Sequence, residues 1–287
     1  MRDIFRLITS LLLLLSAEQA LACERDEQCL NANEWQLGIA LGIGFTSNPL
    51  VDGDNIPLLV LPDIAWYGET FYFDNGELGY QWLDGKKSSF VTYLNVDKER
   101  AFFTFWHPAN ILLPLNRFNQ VTAAEDPNQS GPEQLPISID DVGRRNWALM
   151  GGGRWYYRPD NAEWQLSLEK DLSATHNGEK LEISYQHFWQ WSSFHFSTQV
   201  KMTWKSSALV DYYYGLDEHD KVDPSYFYQA SSGWQPAVGL TLQKKIQNNW
   251  LWLTRVSLQK LHSGMTNSPL VEERNIFSVF SGFAYQF

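Results

Sequence analysis

The side chains able to do chemistry are few and scattered. Six histidines are present, His107, His176, His187, His195, His219 and His262. A hydrolase needs a nucleophile, a histidine and an orienting acid or amide within hydrogen-bond reach. His262-Ser263 and His107-Pro108 fall at the ends of alternating segments, in no motif of a barrel phospholipase or lipid A deacylase. They read as rim or lumen histidines, and no catalytic residue is assigned. Asp217-Glu218-His219-Asp220-Lys221-Val222-Asp223 is acidic enough to suggest calcium, but it lacks the alternate oxygen ligands and glycine of an EF-hand loop. It reads as a solvated external loop, as do Asp52, Asp54, Asp140 and Asp141. Gly151-Gly152-Gly153 is followed by no phosphate-loop lysine and marks a bend or a crowded inward site in a strand. Cys23 and Cys29 have no histidine nearby to make a metal site with them. In an oxidising compartment they could form a disulfide; acylation of Cys23 or two free thiols are the alternatives. The expectation is a chain that is not an enzyme and has no cofactor or metal.

The elements that must position these residues are strands. Arg2 and Arg6, the apolar run Leu7 to Leu15, and Ala20-Leu21-Ala22 make a cleavable secretory signal peptide over 1–22. A periplasmic segment follows over 23–34. Beyond it no stretch is long and apolar enough for a transmembrane helix. From 35 onward the apolar period is two. Trp35, Leu37, Ile39, Leu41, Ile43 and Phe45 alternate with a face of Gln36, Gly38, Ala40, Gly42 and Gly44. Twelve such segments fall near 35–45, 61–73, 77–84, 89–96, 100–107, 144–157, 163–173, 179–190, 194–205, 232–245, 250–262 and 274–287. Their polar faces carry Glu163, Glu169, Lys180, Glu182, Lys201 and Arg255, while the apolar faces are rich in tryptophan at strand ends. That pattern, polar inside and apolar outside, is the signature of an all-β, transmembrane, antiparallel up-and-down barrel with those six charged residues lining the lumen.

Connection lengths alternate too. Asp74-Asn75-Gly76, Asp97-Lys98-Glu99, 158–162, 191–193 and 246–249 are short; 46–60, 85–88, 108–143, 174–178, 206–231 and 263–273 are mostly longer. Outer-membrane barrels have short periplasmic turns and longer external loops, so both termini are expected in the periplasm. The domain 35–287 then ends on an aromatic strand whose last residue, Phe287, is the expected signal for the barrel-insertion machinery. The net charge of −11 argues against nucleic acid and suits a surface among lipopolysaccharide and divalent cations in a Gram-negative outer membrane.

Several blocks resemble the MipA/OmpV family of MltA-interacting-protein-like outer-membrane proteins. They are Asn48-Pro49, Ile56-Pro57-Leu58-Leu59, Asp211-Tyr212-Tyr213-Tyr214-Gly215-Leu216 with Leu216 where the family has valine, Ser268-Pro269-Leu270-Val271, and Gly282 to Phe287. The resemblance implies a structural or scaffolding protein linking murein (peptidoglycan) hydrolase and synthase to the outer membrane. It supplies no catalytic residues. A passive channel for small polar solutes, motivated by the charged inner face, and a surface adhesin acting through 108–143 and 206–231 are the alternatives.

Overall fold

A computed structural model describes residues 33–103 and 137–287. The signal peptide expected over 1–22, Cys23 and Cys29, His107, and residues 108–136 of the expected loop lie outside the described residues. Among the described residues thirteen strands are formed: β1 (Trp35–Thr46), β2 (Ile56–Pro57), β3 (Val60–Tyr67), β4 (Phe71–Asp74), β5 (Glu77–Asp84), β6 (Ser88–Val96), β7 (Leu149–Tyr157), β8 (Ala162–Asp171), β9 (Glu179–Trp191), β10 (Phe194–Lys205), β11 (Gly233–Gln247), β12 (Trp250–Lys260) and β13 (Asn275–Gln286). Among the described residues two short α-helices, α1 (Ser207–Tyr214) and α2 (Ser263–Thr266), lie in the loops. No described helix is long and apolar enough to cross a membrane.

Each of the twelve strands other than β2 pairs antiparallel with its neighbours, and β13 returns to β1 to close the barrel. β2 extends the line of β3 along the top of β1. Closure satisfies the backbone groups that lipid cannot. At the seam, β1 and β13 pair from Gly38↔Gln286 to Thr46↔Ser278, placing Gly42 opposite Gly282. The small-residue face of β1 is needed here: a Cβ on Gly42 would stand 2.7 Å from Phe280 Cζ. Phe280 is buried there with Ala40, Leu61, Leu253 and Ala284. The opposite face of the sheet carries the exposed apolar residues, among them Leu41, Ile43, Leu168, Val200 and Val238. Alternation of period two therefore separates a buried inner face from an apolar outer one.

The strand count of twelve stands, but two segments differ from the sequence reading. The segment 61–73 is not one strand. It breaks after Tyr67, and β4 pairs back on β3 only over Ala65–Tyr67. Gly68 and the residues after it form a turn, with the Gly68 N–H donating to Phe71 C=O at 2.8 Å. The described part of the segment 100–107 is not a strand either: Glu99–Phe103 is a 3-10 turn, with Ala101 and Phe102 buried among loops. One strand is gained and one lost. As a result Asp97-Lys98-Glu99 belongs to the long-loop end, 85–87 to the short-turn end, and Asp74-Asn75-Gly76 turns part-way up the wall, on the side that faces the long loops. The β3 segment above that hairpin, 60–63, pairs with β1 alone among the described residues. Pro62 sits on that edge, where a residue without an N–H leaves no donor unpaired.

Candidate functional site

Two features could carry function: the charged arc of the inner wall and the cap across the long-loop mouth. On the wall, Glu169 and Lys180 are direct cross-strand partners of β8 and β9, with Oε2 and Nζ 2.6 Å apart. Glu182 on β9 pairs diagonally with Lys201 on β10 at 3.2 Å. Glu163 accepts from Arg158 Nε at 2.7 Å near the short turn 158–161. Arg255 stands on β12, where its Nε donates to Thr241 Oγ1 at 3.1 Å. The parity reading brought these six to one face but missed what binds them. Arg154 holds Glu77 through two parallel hydrogen bonds of 2.7 and 2.8 Å and lies 3.9 Å over the Tyr93 ring. Tyr93 Oη donates to Glu169 at 2.7 Å, and Tyr72 Oη to Glu77 at 2.7 Å.

Gly152, on β7 between β6 and β8, makes the Tyr93–Glu169 bond possible. A Cβ at Gly152 would stand 2.9 Å from Glu169 Cγ and 3.0 Å from Tyr93 Cζ. Of the two readings of Gly151-Gly152-Gly153, the crowded inward site applies. Arg154 and Glu77 were legible in principle, since both fall on the inward parity of their strands.

The wall pairs join strands that are adjacent or next but one, so they run along the wall. Charge selection by a pore uses rings of one sign. Here Glu77 with Arg154, Glu169 with Lys180 and Glu182 with Lys201 cancel locally.

The cap is built by the long loops around α1. Ser206 caps the helix, its Oγ accepting from the Leu209 N–H, and Gly215 ends it with its N–H on Asp211 C=O at 2.7 Å. Leu209, Val210, Tyr213 and Tyr214 are fully buried and pack with Leu50, Ile56, Phe102, Leu261, Met265 and Leu270. Hydrogen bonds pin the loops to this core. Asn48 Nδ2 donates to Phe102 C=O at 2.7 Å, while its Oδ1 accepts from the Leu50 N–H. Ser268 Oγ donates to Tyr214 C=O at 2.6 Å, and Leu50 bridges Val271. Asn48-Pro49, the Tyr-Tyr-Gly segment and Ser-Pro-Leu-Val, far apart in sequence, thus meet in one cap.

Ion pairs bury themselves under it. Lys205 Nζ pairs with Glu99 Oε1, and Tyr214 Oη donates to Glu99 Oε2 at 2.8 Å. Arg145 grips both oxygens of Asp220 at 2.6 and 3.2 Å and also donates to Gly215 C=O. The acidic run 217–223 is therefore not wholly solvated: Asp220 is buried, although Asp217 and Asp223 stay outside as caps of short 3-10 turns. Asp52, Asp54, Asp140 and Asp141 are not buried. No group of three metal-ligating side chains gathers among the described residues.

His176 is fully buried. Its Nδ1 accepts from the Gly178 N–H at 2.9 Å, and its Nε2 lies 3.5 Å from Asp97 Oδ2. The ring is thereby committed to a backbone amide and an acid, with neither nitrogen on a hydroxyl nucleophile. Burial pushes the Asp97 carboxyl up, but His176 and the charges of Lys180 and Lys205 outweigh it and hold Asp97 below the usual carboxylate range. His262 caps α2 by accepting from the Gly264 N–H; burial, with Lys205 nearby, pushes its pKa down to about 4. The His187 ring lies tilted against Trp189, their centroids 4.4 Å apart, and His195 and His219 are exposed.

At the other end Phe287 is exposed, stacks edge-on against Tyr285, and donates its N–H to Leu37 C=O at 2.8 Å.

The sequence profile of "MltA-interacting protein MipA" matches residues 39–287. The chain is 21% identical over 258 residues to "Putative outer membrane protein YiaT" of Escherichia coli (strain K12), covering 90% of this chain and 93% of that one. It is 20% identical over 256 residues to "MltA-interacting protein" of the same organism, covering 88% and 91%. Over 120 residues it is 25% identical to "Outer membrane protein Omp26La" of Vibrio anguillarum, covering 42% and 47%. Among solved structures, the CymD monoaromatic hydrocarbon channel aligns over 89% of this chain and 88% of its own, at 10% identity and a TM-score of 0.40. With the profile spanning nearly all of the barrel, the chain belongs to the MltA-interacting protein MipA family and is an outer-membrane β-barrel.

Proposed function

We propose that this barrel is a membrane-fixed scaffold that holds a murein hydrolase or synthase at the outer membrane. The observation that carries the reading is the mouth: a cap with its own apolar core and buried ion pairs lies over a wall whose charges are paired off. Such a mouth suits a rigid platform better than a standing aqueous pore. A relative's name, "MltA-interacting protein", points to a murein enzyme as partner. In this reading the signal peptide is removed, the short turns and both termini face the periplasm, where murein lies, and Phe287 is what the insertion machinery reads. The outer surface meets phospholipid and lipopolysaccharide. Docking then uses a narrow rim and the segment before β1, because the turns themselves are short.

The test is retention. Refolded protein, its folding verified by heat-modifiable gel migration, is immobilised and exposed to periplasmic extract. Retention of a murein hydrolase or synthase, identified by its activity on murein, is expected. Loss of both activities to the flow-through overturns the reading.

The charged arc favours one second reading, a channel for small polar solutes that conducts only when the cap moves. Adhesion through 206–231 fits less well, because Leu209, Val210, Tyr213 and Tyr214 of that loop are spent on the cap.

A further inference from the structure

One charged side chain on the outer face stands among aromatics. Outward residues of β11 run Trp234, Pro236, Val238, Leu240, Leu242 and then Lys244. In register, Phe194 of β10 faces Lys244, Lys244 faces Trp252 of β12, and Trp252 faces Phe283 of β13. Four consecutive strands thus present Phe, Lys, Trp and Phe in one row. Together with Lys245 and Ile246 these residues line a groove of about 480 Å³. That is within the size range of small-ligand sites.

Three observations bear on what the groove takes. Ile246 is the extra residue of a β-bulge, so the ladder is interrupted at the groove's edge, as bulges do where a side chain is re-aimed. The Lys244 ammonium sits 4.9 Å from the centroid of the Phe194 ring, and no carboxylate among the described residues lies within ion-pair distance of it. In a chain carrying 33 acidic against 22 basic residues, an outward lysine without an acidic partner is a selective feature. A lysine on the lipid face is costly at the bilayer midplane and close to cost-free at the interface. The row lies beside the turns at 192–193 and 248–249, at interfacial depth, where the stem can lie along the rings and the ammonium can reach the headgroups.

We propose that this groove is a binding site for an anionic glycerophospholipid. The phosphate of the headgroup meets Lys244, and the upper acyl chain lies across Trp252 and Phe283. The short-turn leaflet is chosen over the lipopolysaccharide leaflet because short turns face the periplasm in outer-membrane barrels. The site itself is independent of the scaffolding role.

The experiment reconstitutes the full folded barrel into vesicles of brominated phosphatidylglycerol or brominated phosphatidylcholine with the same chains, and reads tryptophan quenching. Because both leaflets carry the same lipid, the result does not depend on the orientation in the cell. The quenching owed to Trp252 is taken as the difference between the wild type and W252F. Phosphatidylglycerol is expected to outcompete phosphatidylcholine at Trp252 by about fivefold, the increment of one lysine beside an anionic headgroup. K244Q brings the ratio to about one, whereas K260Q, at the other end of β12, leaves it unchanged. Equal quenching by the two lipids in the wild type overturns the site. So does a preference at Trp252 that survives in K244Q, read as the difference between K244Q and K244Q carrying W252F.

Discussion

At the long-loop mouth Tyr213 and Tyr214 are withdrawn from solvent altogether; at the short-turn rim Trp191 is 82% and Phe287 76% exposed. The same strands feed both ends. At the rim, two-residue connections such as 192–193 and 248–249 leave nothing to fold over the opening, and aromatics there face the membrane interface, where amphipathic rings are favoured. At the mouth, loops of seven residues and more have enough chain to build a second apolar core inside a membrane barrel. The difference teaches that wall and cap obey opposite rules. The wall turns its apolar side chains outward to lipid, and the cap turns them inward.

Breaking the buried charges should separate the two ends most clearly. E99Q leaves Lys205 without its carboxylate partner under the cap and is expected to cost about 3–5 kcal/mol of unfolding free energy, read from urea titration of the folded barrel. R145A strands Asp220 in the same way and should fall in the same range, about 3–5 kcal/mol. A loss under about 1 kcal/mol in both would mean the cap contributes nothing to the fold. N48A removes one staple between the 47–55 loop and Phe102 and should cost about 1–3 kcal/mol.

Acid sharpens the contrast further. The folded His262 has a pKa of about 4, below the 6.5 of an unfolded histidine. Between those values the unfolded chain takes up a proton that the folded chain refuses, so stability falls as pH drops from 6.5 towards 4. Asp97, held below its ordinary range, adds a loss at lower pH, as the folded carboxyl is protonated in turn. H262Q should flatten the upper part of that profile in urea midpoints measured from pH 7 to 4. A profile identical to the wild type would remove His262 from the account. The smallest effect belongs to the rim. W191A is expected to change the urea midpoint by less than about 0.5 kcal/mol equivalent, since the side chain packs on little protein.

The wall was legible in the sequence because lipid outside and charge inside impose a strict alternation. Glu163, Glu169, Lys180, Glu182, Lys201 and Arg255 fall on one parity, and the structure puts all six on the face opposite the exposed apolar residues. Arg154 and Glu77 share that inward parity, but their pairing with each other, like that of Tyr93 with Glu169, was not legible, because each joins two strands separated by a third. The 61–107 region misled for a local reason. Aromatic pairs flank Gly68-Glu69-Thr70 on both sides, Trp66-Tyr67 and Phe71-Tyr72, so the stretch reads as one strand, whereas the pairing of Tyr67 with Tyr72 shows that the chain reverses there. Ala101-Phe102-Phe103 is apolar because it enters the cap, a destination invisible to strand periodicity. The cap as a whole was missed. The blocks that carry the family resemblance were noticed one by one, but their meeting around α1 is a fact of three dimensions.

The central claim, a capped barrel that is a platform and not a standing pore, is tested most directly by single-channel recording of the refolded protein in planar bilayers, beside R145A and E99Q. The account predicts no stable conductance steps from the wild type, with steps or noise emerging once the cap is loosened by either substitution. Steady, long-lived conductance from the folded wild type would contradict it.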